Sequence, residues 1–200
     1  MTTVTDPWWA DYADILPADM LDMIAAEDTA TRITTWEPHL IPGLLQTDGY
    51  ARAVMTAAGA DSALTDRGAL LRATRQRVLR RTPPPRLVAY IDEAALRRAP
   101  DGQVMLGQLG WLGVLAEDPG ITVRVLPLDG PPVPRVTNSF HLIDRPAGPV
   151  VYVEDAGSAN LRTAATAVEA YRAAAARLDE ACLPARESAG LILRLATAGG

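Results

Sequence analysis

Five side chains that could transfer protons lie at or just beyond the ends of three predicted strands. Glu37 ends the first of these strands and His39 follows it, Asp92 and Glu93 end the second, and Glu154 ends the last. Carboxylates and imidazoles are common general acids and bases, and open α/β sheets bind ligands where strand carboxyl ends meet. We therefore treat these five as catalytic candidates, with solvated or helix-capping charges as the alternative.

Side chains near the same strand ends could hold a small polar ligand. Arg75 projects onto the apolar side of its predicted helix, between Leu71 and Leu79, so it needs a carboxylate or a ligand anion as its partner. A carboxylate and arginine pocket would suit a zwitterion or another small polar metabolite. The ligand-binding candidates are Trp36, Gln46, Arg52, Arg75, Gln76, Arg97 and Tyr152.

Composition excludes several kinds of chemistry. The chain has no lysine, which rules out a P-loop lysine, a Schiff-base lysine and a pyridoxal-phosphate lysine. One cysteine and two histidines rule out a cysteine-rich zinc site, and we predict neither a metal nor a cofactor. His141 alternates with Phe140 and Leu142, which places it on the solvent side of its strand.

Length and charge limit the class of protein. The 200 residues suit one domain over 1–200, and 48% hydrophobic content is enough for a core. A net charge of -5 argues against direct DNA binding. No apolar run reaches the roughly 20 residues of a membrane helix, and no signal peptide is visible. The single Cys182 fits a reducing cytoplasm, so we expect a cytoplasmic protein.

Periodicity predicts α/β or α+β architecture, with a mixed sheet of about five strands, helices packed on it and long C-terminal helices. Gly43 is expected to open a helix and to offer free amide groups. Residues 1–10 form a loose lead-in, and 127–135 form a Pro/Gly-rich surface loop. The predicted strands span 32–36, 87–91, 121–126, 139–143 and 150–154. The predicted helices span 11–28, 43–59, 65–82, 94–98, 101–116, 160–181 and 185–198.

Five ordered motifs carry a family resemblance. The longest runs from Trp36-Glu37-Pro38 through Ile41-Pro42-Gly43-Leu44-Leu45-Gln46-Thr47 to Tyr50-Ala51-Arg52. The others are Arg72-x-x-Arg75-Gln76-x-x-Leu79, Asp92 to Arg98, Gln108-Leu109 with Val123 to Pro127, and Val151-Tyr152-Val153-Glu154. From about Trp9 to Leu195, the chain resembles an actinobacterial domain of unknown function. That domain usually follows a helix-turn-helix in WhiJ-like, antitoxin-like transcriptional regulators.

The resemblance implies that this domain senses a ligand or binds a partner while the helix-turn-helix binds DNA. Nothing before Trp8 could form a helix-turn-helix, so we expect a module acting without its own DNA-binding domain. Its partner would be a small polar metabolite or a small protein. A homodimer is also a possible assembly. The alternative is a stand-alone biosynthetic enzyme that uses metal-independent acid–base chemistry for a cyclisation, isomerisation or hydrolysis.

Overall fold

A computed structural model describes residues 7–98, 101–133, 138–155 and 158–198. Its strands are β1 (Arg32–Glu37), β2 (Arg86–Asp92), β3 (Ile121–Leu126), β4 (Phe140–Asp144), β5 (Val150–Asp155) and β6 (Ser158–Arg162). Its α-helices are α1 (Ala18–Asp28), α2 (Asp48–Ala57), α3 (Ser62–Arg75), α4 (Glu93–Arg97), α5 (Gly102–Leu115), α6 (Ala165–Ala181) and α7 (Ala185–Ala198). Short 3-10 helices span Trp8–Tyr12, Gly43–Leu45 and Gln76–Arg80.

The six strands form one mixed sheet in the order β3-β2-β1-β4-β5-β6. The first three strands are mutually parallel, whereas β4, β5 and β6 continue the sheet in antiparallel fashion. β5 therefore runs in the same direction as β1, β2 and β3. As a consequence, these four strands have their carboxyl ends at one edge of the sheet, which we call the carboxyl edge.

Alternation along the strands builds a core on each face of the sheet, because successive side chains point to opposite sides. The larger core contains Ile33, Leu87 and Val123 from the strands, together with apolar residues of α1, α5 and α7. The smaller core packs Trp36 and Phe140 against α6. Covering both faces leaves most residues of β1, β2, β4 and β5 buried.

The structure confirms the five predicted strands and the mixed helix-covered sheet. A sixth strand was missed: β6 occupies the start of the predicted long helix, and α6 begins only at Ala165. Leu161 satisfied the helical apolar spacing, but it pairs with Tyr152 in the sheet and packs against the larger core. The apolar spacing was therefore compatible with either a helix or a strand, and pairing with β5 made this segment a strand.

Three predicted helix starts also differ from the structure. Gly43 opens a single 3-10 turn, and α2 begins at Asp48 with the Thr47 side chain as its cap. Asp61, not Thr65 or Asp66, caps α3 by accepting a hydrogen bond from the Leu64 amide. The first helix begins at Ala18 rather than residue 11, because the chain before Pro17 forms the separate 3-10 turn.

The ends of the chain and one loop were predicted to be irregular. Trp8 and Trp9 are partly buried and pack against the larger core, so this part of the predicted lead-in is anchored. Residues 1–6, and the part of the 127–135 loop beyond 133, lie outside the described residues. Among the helices that are described, none combines the length and apolar content needed to cross a membrane.

The outer edge of β3 is protected by the connection between α6 and α7 and by the first turn of α7. The Val125 amide donates a hydrogen bond to Ser188 Oγ at 3.0 Å, and its carbonyl accepts one from the Leu183 amide at 2.9 Å. These bonds occupy groups that would otherwise be free to pair with another strand. Ser188 is fully buried, so its hydroxyl has no solvent alternative.

We therefore expect Ser188→Ala to lower the free energy of unfolding by about 1–3 kcal/mol, the cost of leaving a buried amide without a partner. Urea denaturation measures this value. The control is Ser62→Ala at an exposed position, with an expected change within about 0.5 kcal/mol. Equal costs for the two substitutions would contradict the role assigned to the Ser188 hydroxyl.

Candidate functional site

A row of polar side chains crosses three strands near the carboxyl edge. Thr35 on β1 pairs with His141 on β4, and His141 pairs with Tyr152 on β5. Directly paired residues in adjacent strands point to the same face. All three side chains therefore point into the larger core, where they are buried. Together with Glu37 and Glu154, they form what we call the edge cluster.

Glu37 and His141 form the centre of the edge cluster. The Glu37 Oε1 atom lies 3.6 Å from His141 Nε2, and the two side chains are 16% and 10% exposed. His141 Nδ1 and Thr35 Oγ1 are buried, and neither has a hydrogen-bond partner within the described chain. Buried polar atoms are normally hydrogen-bonded. His141 and Thr35 thus present unused hydrogen-bonding atoms beside the Glu37 carboxylate.

His141 was missed by the sequence reasoning, which placed it on the solvent side of its strand. Residue 141 is only 8% exposed, because helices cover both faces of the sheet. Alternation alone identifies which residues share a face, but it does not identify a face as open. A polar residue in a strand with apolar neighbours was the available signal, and only the register of β1 with β4 joins it to Glu37.

Tyr152 and Glu154 extend the edge cluster along β5. The Tyr152 hydroxyl donates a hydrogen bond to Glu154 Oε1 at 3.0 Å. Burial raises the pKa of Tyr152 well above its ordinary value, and the Glu154 carboxylate adds to the increase. The phenol therefore remains a hydrogen-bond donor at neutral pH. Glu154 itself is exposed, so it lies at the mouth of the cluster.

Arg75 already has a carboxylate partner. Its Nε and Nη2 atoms donate to the two oxygens of Glu27 at 3.0 and 2.8 Å, and both side chains are almost fully buried. Burial by itself favours the neutral guanidine, but the charge and hydrogen bonds of Glu27 outweigh it and raise the pKa of Arg75. Of the two partners that the sequence left open, the structure thus supplies the carboxylate.

Three glutamines fix the loop between β1 and α2, residues 38–47, which we call the β1–α2 loop. Gln46 Nε2 donates to the Ile41 carbonyl at 2.8 Å, and Gln76 Nε2 donates to the Gln46 carbonyl at 2.6 Å. Gln108 donates to the Leu45 carbonyl and accepts from the Thr47 amide. The Leu45 and Gln46 amides, predicted to be free, bond to carbonyls within the turn.

The two glutamines predicted to bind a ligand therefore hold backbone groups. Gln46 Oε1 nevertheless remains buried without a partner in the part of the chain that is described. Gln108 belongs to the same group of clamping side chains, although the sequence reasoning gave it no site role. The helical apolar pattern of α5 hid it, since Gln108 is fully buried among those apolar positions.

The second strand end forms a separate structural unit. Asp92 accepts a hydrogen bond from the Ala94 amide and caps α4. Glu93 pairs with Arg97 and also accepts from the Leu128 amide at 3.0 Å. In the described chain, the side chains of Asp92, Glu93 and Arg97 form neither a hydrogen bond nor an ion pair with Glu37 or His141. The structure therefore does not bring all the acidic strand ends together.

The remaining candidates lie apart from the edge cluster. His39 is exposed, and Arg52 forms surface ion pairs with Asp48 and Asp66. Trp36 belongs to the smaller core on the opposite face of the sheet. Cys182 is also buried in that core, and burial raises its pKa to about 12, so this thiol is a poor nucleophile at neutral pH.

In the part of the chain that is described, metal-binding groups and concavities can be compared in position with the edge cluster. The described residues contain no group of three or more His, Cys, Asp or Glu side chains placed to hold a metal ion. Four concavities of about 250–420 Å³ are lined by other described residues, including Arg75 and Glu27 in one of about 270 Å³. The edge cluster lines none of these four concavities.

Comparison with known proteins identifies one family. The model of the family described as Domain of unknown function (DUF5753) matches residues 20–194, which include β1 to β6 and all the residues of the edge cluster. A search of curated proteins found no match.

The contrast between buried and exposed ion pairs yields a prediction. We expect Glu27→Ala to lower the free energy of unfolding by about 3–5 kcal/mol, because it leaves the Arg75 charge buried without a partner. Asp48→Ala, which removes an exposed partner of Arg52, should cost less than about 1 kcal/mol. Urea denaturation of both variants measures the difference. Similar costs would contradict a buried structural role for the Arg75–Glu27 pair.

Proposed function

Because the chain belongs to the family described as Domain of unknown function (DUF5753), we propose that it is a ligand-binding sensor or effector module of an antitoxin-like regulator family. In this proposal the domain itself does not bind DNA. It binds a small polar metabolite at the edge cluster. The supporting observation is the Glu37–His141 contact, beside which His141 Nδ1 and Thr35 Oγ1 are buried without partners in the described chain.

The chemistry of these groups favours a particular kind of ligand. Glu37 offers an acceptor with negative charge, Thr35 offers a hydroxyl, and the imidazole offers a donor or an acceptor according to its tautomer. A metabolite with N–H or O–H donors, such as an amine, an amino acid or a polyol, would complete these hydrogen bonds. The proposal also places the protein in the cytoplasm, which suits its single buried cysteine.

Entry of the ligand would involve the start of the β1–α2 loop. His39 and Leu40 are exposed, whereas the rest of the loop from Ile41 onward is held by the glutamine side chains. Displacing residues 38–40 would open the space beside Glu37 without breaking the clamped part. Such a movement would convert ligand binding into a change on the protein surface, as a sensor or effector requires.

A thermal-shift screen with amino acids, polyamines, nucleosides and polyols tests the proposal. We expect at least one class to raise the unfolding midpoint, since a ligand at one hundred times its Kd stabilises a protein by about 2.7 kcal/mol. Glu37→Gln and His141→Ala should abolish this shift, relative to each variant's own midpoint. Glu180→Gln is the matched control, because it removes the same charge as Glu37→Gln from an exposed position outside both the edge cluster and the β1–α2 loop.

Two results would count against the module. One is a panel in which every class leaves the midpoint unchanged, and the other is stabilisation that survives both edge-cluster substitutions. DNA binding is checked separately by fluorescence anisotropy with labelled duplexes. Salt-dependent binding to a defined duplex would contradict the proposed division of roles.

The second candidate function is metal-independent acid–base catalysis, which the Glu37–His141 contact also favours. A carboxylate next to an imidazole can orient the ring and stabilise its protonated form during proton transfer. The stabilising metabolite from the screen would then be a substrate for cyclisation, isomerisation or hydrolysis. Tyr152 would act as a neutral hydrogen-bond donor, since burial raises its pKa.

Product analysis separates the two functions. The wild-type protein is incubated with each stabilising compound, and the mixture is analysed by liquid chromatography and mass spectrometry. An unchanged compound supports the binding module. Turnover that falls by about 10²–10⁴-fold in His141→Ala, with little change in Glu180→Gln, supports the enzyme instead.

A further inference from the structure

A second concavity, separate from the edge cluster, has the composition of a ligand site. It measures about 300 Å³ and lies between the C-terminal half of α5 and the segment from the end of α3 to Arg80. Leu44 and Ile121 form a buried apolar floor. The other lining residues include Arg77, Arg80, Trp111, Val114 and Asp118. This volume reaches the lower end of the usual size range for small-molecule sites.

The arginines of this region fall into two groups. Arg77 and Arg80, which line the cavity, are exposed and have no ion pair or hydrogen bond within the described chain. The other four arginines between residues 67 and 81 all have partners in the protein. They are Arg67 with Asp14, Arg72 with Met55 and Gly68, Arg75 with Glu27, and Arg81 with Ala30. The unpaired guanidinium groups are thus those that border the cavity.

The remaining wall of the cavity is apolar and aromatic. Trp111 is partly exposed and makes no ring contact with another aromatic side chain or cation in the described residues. Val114 is 59% exposed beside it. Asp118 is the one acidic lining residue, and its Oδ1 already accepts a hydrogen bond from the Gly120 amide at 2.7 Å. The lining therefore combines an indole face with a net positive charge.

We propose that this cavity binds a small aromatic carboxylate. The aryl group would lie on Leu44 and Ile121 against the Trp111 ring, and the carboxylate would meet Arg80 and Arg77 at the rim. Guanidinium groups bind carboxylates through charge-assisted and often bidentate hydrogen bonds. Arg77 also borders the neighbouring concavity that contains Trp8, so Arg80 is the residue that distinguishes this site.

Binding of 2-naphthoate, compared with its neutral amide 2-naphthamide, tests the proposal by isothermal titration calorimetry. The amide keeps the aryl group and the shape but loses the charge. We expect saturable binding of the acid and at least about tenfold weaker binding of the amide. Titration of ¹⁵N-labelled protein should move the Trp111 indole N–H signal, which Trp111→Phe identifies by its disappearance.

Matched substitutions locate the carboxylate. Arg80→Gln should weaken 2-naphthoate binding by about tenfold and leave the amide little changed. Arg186→Gln is the control, because it removes the same charge from another exposed arginine that does not line the cavity. Both are surface substitutions, and circular dichroism checks that each variant folds.

Three outcomes would overturn the proposal: no saturable binding of 2-naphthoate, equal affinity for the acid and the amide, or unchanged affinity in an Arg77→Gln/Arg80→Gln double variant. None of these measurements involves the edge cluster. The aromatic-acid site can therefore fail while the metabolite site stands, and the reverse also holds.

Discussion

The buried Arg75–Glu27 ion pair is the constraint on which this end of the molecule depends. It joins α3 to α1 through two hydrogen bonds, and two charges removed from water tolerate little displacement. Gly43 of the β1–α2 loop lies against the same guanidinium, since a Cβ atom at that position would be 3.5 Å from Arg75 Nη1. The side chains of Gln46, Gln76 and Gln108 then hold the loop's carbonyls from Ile41 onward, so that the second half of the loop has a fixed course.

Side-chain periodicity made much of this arrangement predictable. The five strands were visible because alternating and continuous apolar runs report burial directly. Arg75 could be identified as a group in need of a partner, because the helical spacing put it between Leu71 and Leu79 on a buried face. The need for a partner could be derived from the spacing within one helix. The identity of that partner, Glu27, could not, because it depends on how α1 packs against α3.

What the sequence could not supply is pairing between distant segments. The contact of His141 with Glu37 exists only because β4 lies antiparallel to β1 in one register, and a shift by one residue would turn the imidazole to the other face. Strand β6 was hidden for the same reason, because Leu161 fits a helix until its pairing with Tyr152 is known. For Asp92 and Glu93 the sequence predicted a distant contact that does not form. Both lie at the carboxyl edge, but Asp92 caps α4 and Glu93 pairs with Arg97.

Two buried atoms of the edge cluster, Thr35 Oγ1 and His141 Nδ1, have no hydrogen-bond partner in the described chain and lie on directly paired residues. A buried polar atom without a hydrogen bond costs about 1–3 kcal/mol, and whole domains are stable by only about 5–15 kcal/mol. Thr35 Oγ1 and His141 Nδ1 together would therefore remove a large share of that stability unless water or a ligand bonds to them. A ligand that displaces such water must reproduce its hydrogen bonds. An apolar compound could not make these bonds, so the polar metabolite proposed for the edge cluster and the aromatic acid proposed for the cavity beside Trp111 differ in their chemistry.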